Sequence, residues 1–436
     1  MTRRILWALP LLAAMAGVAA AEPGRALFQG HRPFAAGREA TANRLPTDFA
    51  ACAACHGADA AGRREGGIVA PPVTWAALAR PAGLAAAYPD ADAVRAAILS
   101  GIGRDGRVLD PAMPRYRLDA AETEALLAYL RVVGTAEDRP PGVTAGRVLL
   151  GTVLPLSGRA AATARAVLAG LEEGLAGMRV HGRRLELRVE DGAAGGTAEA
   201  LRRLLGQPVF MLVGGLWQED AGAEAILAQA RVAHIGSLVA RAGNDRTRSW
   251  TADLLAPRAM QQAMLAAALA SCPAGTRLGL AVAPPGAGPQ PVAWLTDPAA
   301  LPEALRRAGG AGCLGSGLAG ASPAVRAALP SGWRWQVVLP FPAALFEEED
   351  GIAPWRRLGL VAARLAVEVL AQSGHALTER APLDALPASF EALPGAPLRY
   401  GPRRRHGWDP ELIELGPAAR PGAAGAGPDA TPKQGG

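Results

Sequence analysis

Lysine is almost absent from this 436-residue chain: Lys433 is the only one, and arginine carries nearly all of the positive charge. Aromatic residues make up only 5% of the sequence, and no basic patch is interleaved with aromatic side chains in the manner of a nucleic-acid-binding surface. The net charge of +6 predicts an acidic partner surface, or no particular partner, and nothing in the sequence suggests nucleic acid, since such a patch is lacking.

The sequence also lacks the motifs of several common enzyme and metal-site classes. It contains no Ser/His/Asp triad, no phosphate-binding loop and no pair of zinc-type cysteine motifs. Four histidines are scattered without metal-ligand spacing: His181, His234, His375 and His406. Beyond the N-terminus no run approaches eighteen continuous apolar residues, so we expect no transmembrane span in the mature protein. The length predicts two or three domains.

The first 21 residues read as an export signal. Arg3 and Arg4 precede an apolar stretch, 5–18, and three alanines, 19–21, offer a small-residue cleavage site. The apolar stretch is short for a membrane span, and an uncleaved anchor is the alternative. This pattern predicts a periplasmic protein.

Cysteine is scarce, but its placement is informative. Cys52 and Cys55 stand three residues apart and His56 follows directly, which is the pattern that attaches a c-type haem. Each thiol can add to one vinyl group at the same porphyrin edge, and His56 can then ligate the iron as the proximal ligand. A redox dithiol, half of a zinc site and a free thiol pair are the alternatives; the first requires a βαβ setting and the second another cysteine pair nearby. The motif therefore predicts one covalent haem c.

The stretch around this motif, 23–134, resembles a small, all-α class I cytochrome c domain. Residues 24–28 resemble that family's short N-terminal helix, and the Gly/Pro-rich segment 57–72 fits an irregular loop at a haem edge. In the resembled family a Met-Pro pair before the last helix supplies the distal iron ligand, and Met113 fits that place. A gap-filling core role is the alternative for Met113, and His31 is the rival distal ligand.

The last helix of this domain is well defined in the sequence. Asp119 and Glu122 form a capping-box pattern, and an apolar stripe follows at helical spacing. The stripe consists of Leu126, Leu127, Leu130 and Val133. In the resembled family this helix crosses the N-terminal one and covers the haem.

Ligation by histidine and methionine would decide the chemistry. With both axial positions filled, no iron site is open to oxygen or peroxide, and methionine raises the reduction potential relative to a second histidine. This ligand set favours a carrier of single electrons over an enzyme.

Proline and glycine punctuate the segment 135–146, which we interpret as a linker. From 147 to 416, short apolar runs alternate with helical patterns, which predicts two α/β lobes built on parallel, doubly wound sheets. The second lobe shows one clear strand near 277–283 and one clear helix near 355–373, with a Pro- and Gly-rich stretch between them. The tail 417–436 has little hydrophobic bulk and is predicted to be disordered.

The first lobe resembles the type I periplasmic binding proteins, which include the branched-chain amino acid receptors of ABC transporters. The resemblance is carried by 151–158, by the Val-Glu-Asp ending at Asp191 and by 210–215. Ligands in open α/β sheets bind beyond the carboxyl ends of the strands. This geometry selects the following candidate ligand residues: Ser157, Gly158, Trp217, Gln218 and Ser237.

The same region departs from the resembled family. A small hydroxyl residue usually follows the glycine pair of the third strand, whereas here Trp217 and two carboxylates occupy the segment 216–220. These side chains disfavour an anionic amino acid group. Loss of the family's ligand is therefore one interpretation, and Trp217 is then buried packing rather than a stacking residue.

Cys272 and Cys313 remain, and in an exported protein they are disulfide candidates. Taken together, the sequence predicts a periplasmic electron carrier whose redox partner is a dehydrogenase, another cytochrome or an oxidase. The resemblance of the haem domain suggests a quinoprotein dehydrogenase system. The fused region would dock a partner or bind a small molecule. The alternative is a solute receptor of an ABC importer in which the haem senses redox state.

Overall fold

The computed structural model describes most of the chain between residues 23 and 416. The described ranges are 23–30, 32, 34, 51–65, 67–135, 137–243, 250–272, 275–280, 292–295, 297–308, 310–347, 351–374 and 377–416. The predicted signal peptide, His31, His375 and the predicted tail lie outside them. The described residues form two compact units, and the change from Val143 to Thr144 falls within the predicted linker. No helix among the described residues is long and apolar enough to cross a membrane.

The first unit is helical apart from one small hairpin. Its helices are α1 (23–28), α2 (Cys52–His56), α3 (Trp75–Leu78), α4 (Ala91–Ser100) and α5 (Ala120–Val132). Its strands, β1 (Arg63–Glu65) and β2 (Ile68–Ala70), pair antiparallel in the segment where the sequence predicted an irregular loop.

The capping box predicted for α5 is confirmed. The Asp119 carboxylate accepts a hydrogen bond from the Glu122 backbone N–H at 2.7 Å, and the Glu122 carboxylate accepts one from the Asp119 N–H at 3.2 Å. The predicted apolar stripe faces the core of the unit. Helix α1 lies directly against α5, because a side chain on Gly24 would collide with the Ala125 carbonyl. The two helices that the family resemblance expected to cross are therefore in direct contact.

Part of the predicted linker belongs to the first unit. The Asp138 carboxylate accepts hydrogen bonds from Arg25 of α1, from the Tyr129 hydroxyl at 3.2 Å and from the Gly134 N–H at 3.3 Å. Arg25 is almost fully buried, so this ion pair is shielded from solvent screening. Asp138 thereby fixes the start of the connecting segment to both α1 and α5.

The second unit contains two larger sheets flanked by helices, as expected for two α/β lobes. The first sheet has the order β4-β5-β3-β6-β7-β8 and the second β10-β9-β11-β12-β15. Among the described residues of these sheets, β4 is antiparallel to its neighbour β5 and β15 to its neighbour β12, and the other neighbours are parallel. The strands of the first are β3 (Arg147–Leu154), β4 (Arg179–Val180), β5 (Arg183–Asp191), β6 (Met211–Val213), β7 (Ala233–Ser237) and β8 (Thr251–Asp253). Those of the second are β9 (Thr276–Leu280), β10 (Ala293–Leu295), β11 (Gly312–Gly317), β12 (Trp333–Leu339) and β15 (Glu411–Leu415). A separate pair is β13 (Phe390–Glu391) with β14 (Pro397–Leu398).

The helices of the second unit follow the alternation that the sequence predicted. They are α6 (Ala161–Leu175), α7 (Thr197–Leu205), α8 (Ala221–Ala230), α9 (Arg258–Ala270), α10 (Leu301–Ala308), α11 (Pro323–Ala328), α12 (Ala353–Gln372) and α13 (Ala381–Asp384). Helix α9 packs on the second sheet. Cys272, two residues beyond the end of α9, forms a disulfide with Cys313 of β11, with a Cα–Cα distance of 6.3 Å.

Helix α12 comes late in the chain but packs on α6 and on β7 of the first sheet. Two glycines make the α6–α12 approach close. A side chain on Gly170 would collide with the Arg356 carbonyl, and one on Gly359 with the Val167 carbonyl.

Buried polar groups lie among the apolar side chains of the first sheet. His234 of β7 is fully buried, stacks on Trp217 with ring centroids 5.2 Å apart, and donates from Nε2 to the Gly214 carbonyl at 2.5 Å. Arg241, also buried, pairs with Asp253 at 3.1 Å and with Glu224. Desolvation, reinforced by the nearby Arg241 cation, lowers the pKa of His234 to about 3.

Adding a methyl group where α6 and α12 are in close contact should destabilise the second unit. We expect Gly359→Ala to lower its unfolding free energy by about 1–3 kcal/mol, because the carbonyl beneath cannot retreat without moving α6. Chemical denaturation followed by tryptophan fluorescence measures the change. Gly351→Ala is the control, since no atom lies within 4 Å of its added methyl group. Equal stability of the two variants would contradict the close approach.

His234 should make stability depend on pH in the acidic range. The pKa of His234 is lower in the folded than in the unfolded protein, so its contribution to the free energy of unfolding is complete above pH 6.5 and is lost as the pH falls towards 3. Between pH 7 and pH 5 we expect the free energy of unfolding to fall by about 2 kcal/mol, and we expect this fall to be absent in His234→Phe. Denaturant titrations at both pH values test this, with exposed His181→Gln as a control that keeps the wild-type loss. An unchanged loss in His234→Phe would contradict the prediction.

Candidate cofactor site

The first unit contains a cavity of about 340 Å³. All four residues predicted to hold a haem line it: Cys52, Cys55, His56 and Met113. The rest of its wall is mostly apolar and comes from the hairpin, α4, α5 and the loops between them. A mainly apolar cavity with a few convergent polar groups is typical of a cofactor site.

His56 is held in one orientation at the end of α2. Its ring is buried and its Nδ1 lies 2.7 Å from the Pro71 carbonyl oxygen. Since a carbonyl only accepts, Nδ1 carries the proton and Nε2 keeps its lone pair for a metal. Burial lowers the pKa of His56, against the raising effect of this hydrogen bond, and so favours the neutral ring that can ligate iron.

The two thiols lie on the same short helix as this histidine. Both cysteines are free of disulfides; Cys52 is partly buried against the core and Cys55 is exposed. Burial raises the pKa of the Cys52 thiol to about 11. The helix therefore presents two thiols and one imidazole to a single cavity, as covalent haem attachment requires.

Met113 lies in a loop that follows the α4 helix. Its N–H donates to the Asp110 carbonyl at 3.0 Å, and the Ala112 N–H donates to the Asp110 carboxylate at 2.8 Å. The Met113 side chain is partly buried against the core that also includes Phe28 and Leu126. A fixed loop, rather than a helix interior, thus brings the thioether to the cavity.

These residues fit a haem c on chemical grounds. The possible iron ligands are an imidazole with a free ring nitrogen and a thioether. Two thiols line the same cavity, and its walls are mostly apolar. His31, the rival distal ligand, lies outside the described residues.

The candidate ligand residues of the second unit differ in their exposure to solvent. Ser157, Gly158 and Gln218 are exposed, whereas Ser237 is fully buried. Trp217 belongs to the core of the first sheet, in its stacked contact with His234. Trp217 therefore packs within the lobe.

Carboxylates of the chain itself occupy the backbone donors beyond the strand ends. Asp191 accepts hydrogen bonds from the N–H groups of Leu156 and Ala193, each at 2.9 Å, and from Ser157. These bonds, led by the one from Ala193, hold the pKa of Asp191 below its usual range. Glu219 likewise accepts from the Ala242 N–H at 2.7 Å.

A third carboxylate and a buried serine complete this pattern. Asp220 caps α8 by accepting from the Gly222 N–H at 2.7 Å. Ser237 hydrogen-bonds to the buried Asp253, and its hydroxyl accepts from the Val239 N–H. Two of the candidate ligand residues, Ser157 and Ser237, are thus hydrogen-bonded to carboxylates of the chain itself.

Sequence reasoning missed three residues that shape these sites: Pro71, Arg115 and Asp191. Pro71 acts through its carbonyl, which has no sequence signature of its own. Arg115 stands only two residues beyond Met113, and that proximity was the available signal. Asp191 ends the Val-Glu-Asp segment of the family resemblance, but the sequence does not show that it binds the loop after β3.

Comparison with known proteins bears on both units. Residues 35–133 match the family model for cytochrome c. No curated protein is significantly similar in sequence to the chain.

Several solved structures resemble the larger part of the chain. An extracellular ligand-binding receptor from Verminephrobacter eiseniae is 17% identical, with a TM-score of 0.47, over 62% of this chain and 98% of that one. A fatty acid ABC transporter substrate-binding protein from Thermomonospora curvata is 16% identical, with a TM-score of 0.48, over 64% and 90%. A periplasmic binding protein type 1 from Bordetella pertussis is 13% identical, with a TM-score of 0.46, over 63% and 98%. At this level of similarity they indicate no ligand for this chain.

The match over 35–133 coincides with the helical unit, with its attachment motif and with the cavity that Met113 and His56 share. The N-terminal part of the chain is therefore a cytochrome c domain, and a two-sheet α/β region follows it.

Proposed function

We propose that the protein is an exported carrier of single electrons that uses one covalently attached haem c. Cys52 and Cys55 tether the haem, His56 is its proximal ligand and Met113 its distal ligand. The observation that carries this proposal is the hydrogen bond from His56 Nδ1 to the Pro71 carbonyl, because it leaves Nε2 free to ligate a metal on a side chain that lines the same cavity as Met113.

The proposed ligand set accounts for the chemistry. A haem held by histidine and methionine supplies reversible one-electron transfer and leaves no iron position for an exchangeable substrate. The chain's own residues hold the imidazole neutral, orient it through Pro71 and exclude water with apolar walls. The role is therefore electron transfer and not catalysis.

We propose that the α/β region docks a redox partner, of which a periplasmic dehydrogenase, another cytochrome or an oxidase are the candidates. The internal carboxylates Asp191, Glu219 and Asp220 favour docking over recognition of a small anionic molecule, since they fill the donors that such a ligand would need. A receptor for an ABC importer is the competing function.

Exchanging the distal ligand should change the potential. In Met113→His we expect the protein to keep a covalent, six-coordinate haem while its potential falls on the order of 0.1–0.3 V, a fraction of the about 0.8 V span that axial ligands set. Spectroelectrochemical titration of the full chain, matured with a haem-attachment system, measures both the potential and the one-electron stoichiometry.

Met178→His, in the second unit, is the matched control and should keep the wild-type potential. A wild-type protein without covalent haem would refute the carrier function altogether. An unchanged potential in Met113→His would refute only the assignment of the distal ligand.

The α/β region should not respond to the ligands of amino acid receptors. If the α/β region bound L-leucine, a concentration of 100 times the dissociation constant would raise its free energy of unfolding by about 2.7 kcal/mol and its melting temperature by several degrees. We expect no shift when unfolding of the second unit is followed by tryptophan fluorescence. A rise in melting temperature with leucine concentration would instead support the receptor function.

A further inference from the structure

We propose that Arg115 is the positioning residue that keeps the Met113 thioether at the iron. This inference rests on the proposed haem function and concerns how the distal ligand is retained. It arises from contacts that neither the attachment motif nor the family match assigns to this side chain.

One guanidinium binds three carbonyls of the methionine loop. Its Nη1 donates to the Met113 carbonyl and, at 3.3 Å, to the Asp110 carbonyl, while Nη2 donates to the Leu109 carbonyl at 2.6 Å. A planar guanidinium fixes the directions of its donors, so it sets the relative positions of carbonyls at both ends of the loop. The ammonium group of lysine does not offer this geometry.

The stem of Arg115 is held at the end of α4. A side chain on Gly101 would collide with the Arg115 Nε and Cζ atoms, so the arginine lies directly across this glycine. Gly101 caps α4 with a φ of +69°, and its carbonyl accepts from the Leu109 N–H at 2.8 Å. The glycine is thus required both for its backbone conformation and for the space it leaves.

Helix α4 in turn forms part of the cavity wall. Its Val94, Ala97 and Ile98 line the cavity, and the Tyr116 N–H donates to the Ile98 carbonyl at 3.1 Å. Arg115 therefore connects the loop that carries the distal ligand to the helix that forms the wall. The positive charge also lies near the C-terminal end of a helix, where a cation is favoured.

Arg115 adds to the backbone hydrogen bonds that join the two ends of the loop to α4, from the Leu109 N–H to the Gly101 carbonyl and from the Tyr116 N–H to the Ile98 carbonyl. Asp110 and Ala112 are exposed, and their own hydrogen bonds form a local turn that fixes the shape of the loop but not its distance from the core. Methionine is a weak iron ligand, so the loop's position decides how often the sulfur leaves. Loss of the guanidinium should therefore increase transient opening of the distal site.

Exchange of the distal ligand tests the proposal directly. The probe is imidazole, added to the ferric full-length protein, and its binding rate reports how often Met113 dissociates. Loss of hydrogen bonds from a charged donor predicts about a 10- to 100-fold faster rate in Arg115→Ala, with a smaller increase in Arg115→Lys. The near-infrared sulfur-to-iron charge-transfer band should weaken in parallel.

Two control variants separate positioning from general stability. Arg107→Ala removes a neighbouring, exposed arginine that pairs with Asp105 and should bind imidazole at the wild-type rate. Asp90→Ala removes the side-chain cap of α4, which lowers stability by about 1 kcal/mol without touching the methionine loop, and should also keep the wild-type rate. A rate as fast in Asp90→Ala as in Arg115→Ala would overturn the proposal.

A double variant addresses the role of Gly101. If Gly101→Ala acts by displacing the arginine, its effect on the imidazole rate should be smaller in the Arg115→Ala background than in the wild type. If the effects of Gly101→Ala and Arg115→Ala on the imidazole rate are fully additive, Gly101 acts independently of Arg115. That result would overturn the inference that the glycine leaves space for the arginine.

Failure of this inference can be distinguished from failure of the proposed function. Wild-type protein that lacks the charge-transfer band refutes methionine ligation and hence the proposed function. A wild-type band together with wild-type imidazole kinetics in both Arg115 variants refutes only the positioning role.

Discussion

Two side chains from separate segments of the chain, His56 and Met113, must reach one cavity, and the first unit is built to satisfy this constraint. His56 is fixed within its own neighbourhood, by a helix of five residues and the carbonyl of Pro71. Met113 lies in a loop beyond α4, next to the exposed residues Asp110 and Ala112. The intervening hairpin, α3 and α4 determine whether the two proposed ligands face a common space, and Arg115 binds the loop that carries Met113. Under the proposed ligation the strong ligand would need only orientation, whereas the weak one would need its whole segment restrained.

Carboxylates of the chain itself lie at the strand ends of the first sheet in the second unit. Asp191, Glu219 and Asp220 accept hydrogen bonds from backbone N–H groups of the loops there. An external carboxylate would have to displace these internal ones at the cost of leaving them unpaired. Trp217 stacks on His234 inside the core of the same sheet.

The sequence predicted those features that depend on local chemistry. The attachment motif and the capping box of α5 each have a residue pattern of their own. The sequence did not reveal β11, whose residues Gly312–Gly317 include three glycines and no β-branched side chain. That strand is specified by packing, since a side chain on Gly315 would lie 2.8 Å from Leu265 of α9. Partners distant in sequence, such as Asp191 with Leu156 or His56 with Pro71, depend on the folded backbone and leave no pattern to read.

The late position of α12 has a consequence for maturation. This helix packs against α6 and β7 of the first sheet, yet it follows most of the second sheet in the chain. In the proposed export the polypeptide would emerge from its N-terminal end, and the first sheet would wait for nearly the whole chain before its covering helix arrives. The residues of the cavity would be available much earlier, because all of them precede the end of α5. If haem is attached as we propose, attachment can occur while the α/β region is still incomplete, so a defect in that region would yield coloured but poorly folded protein rather than colourless protein.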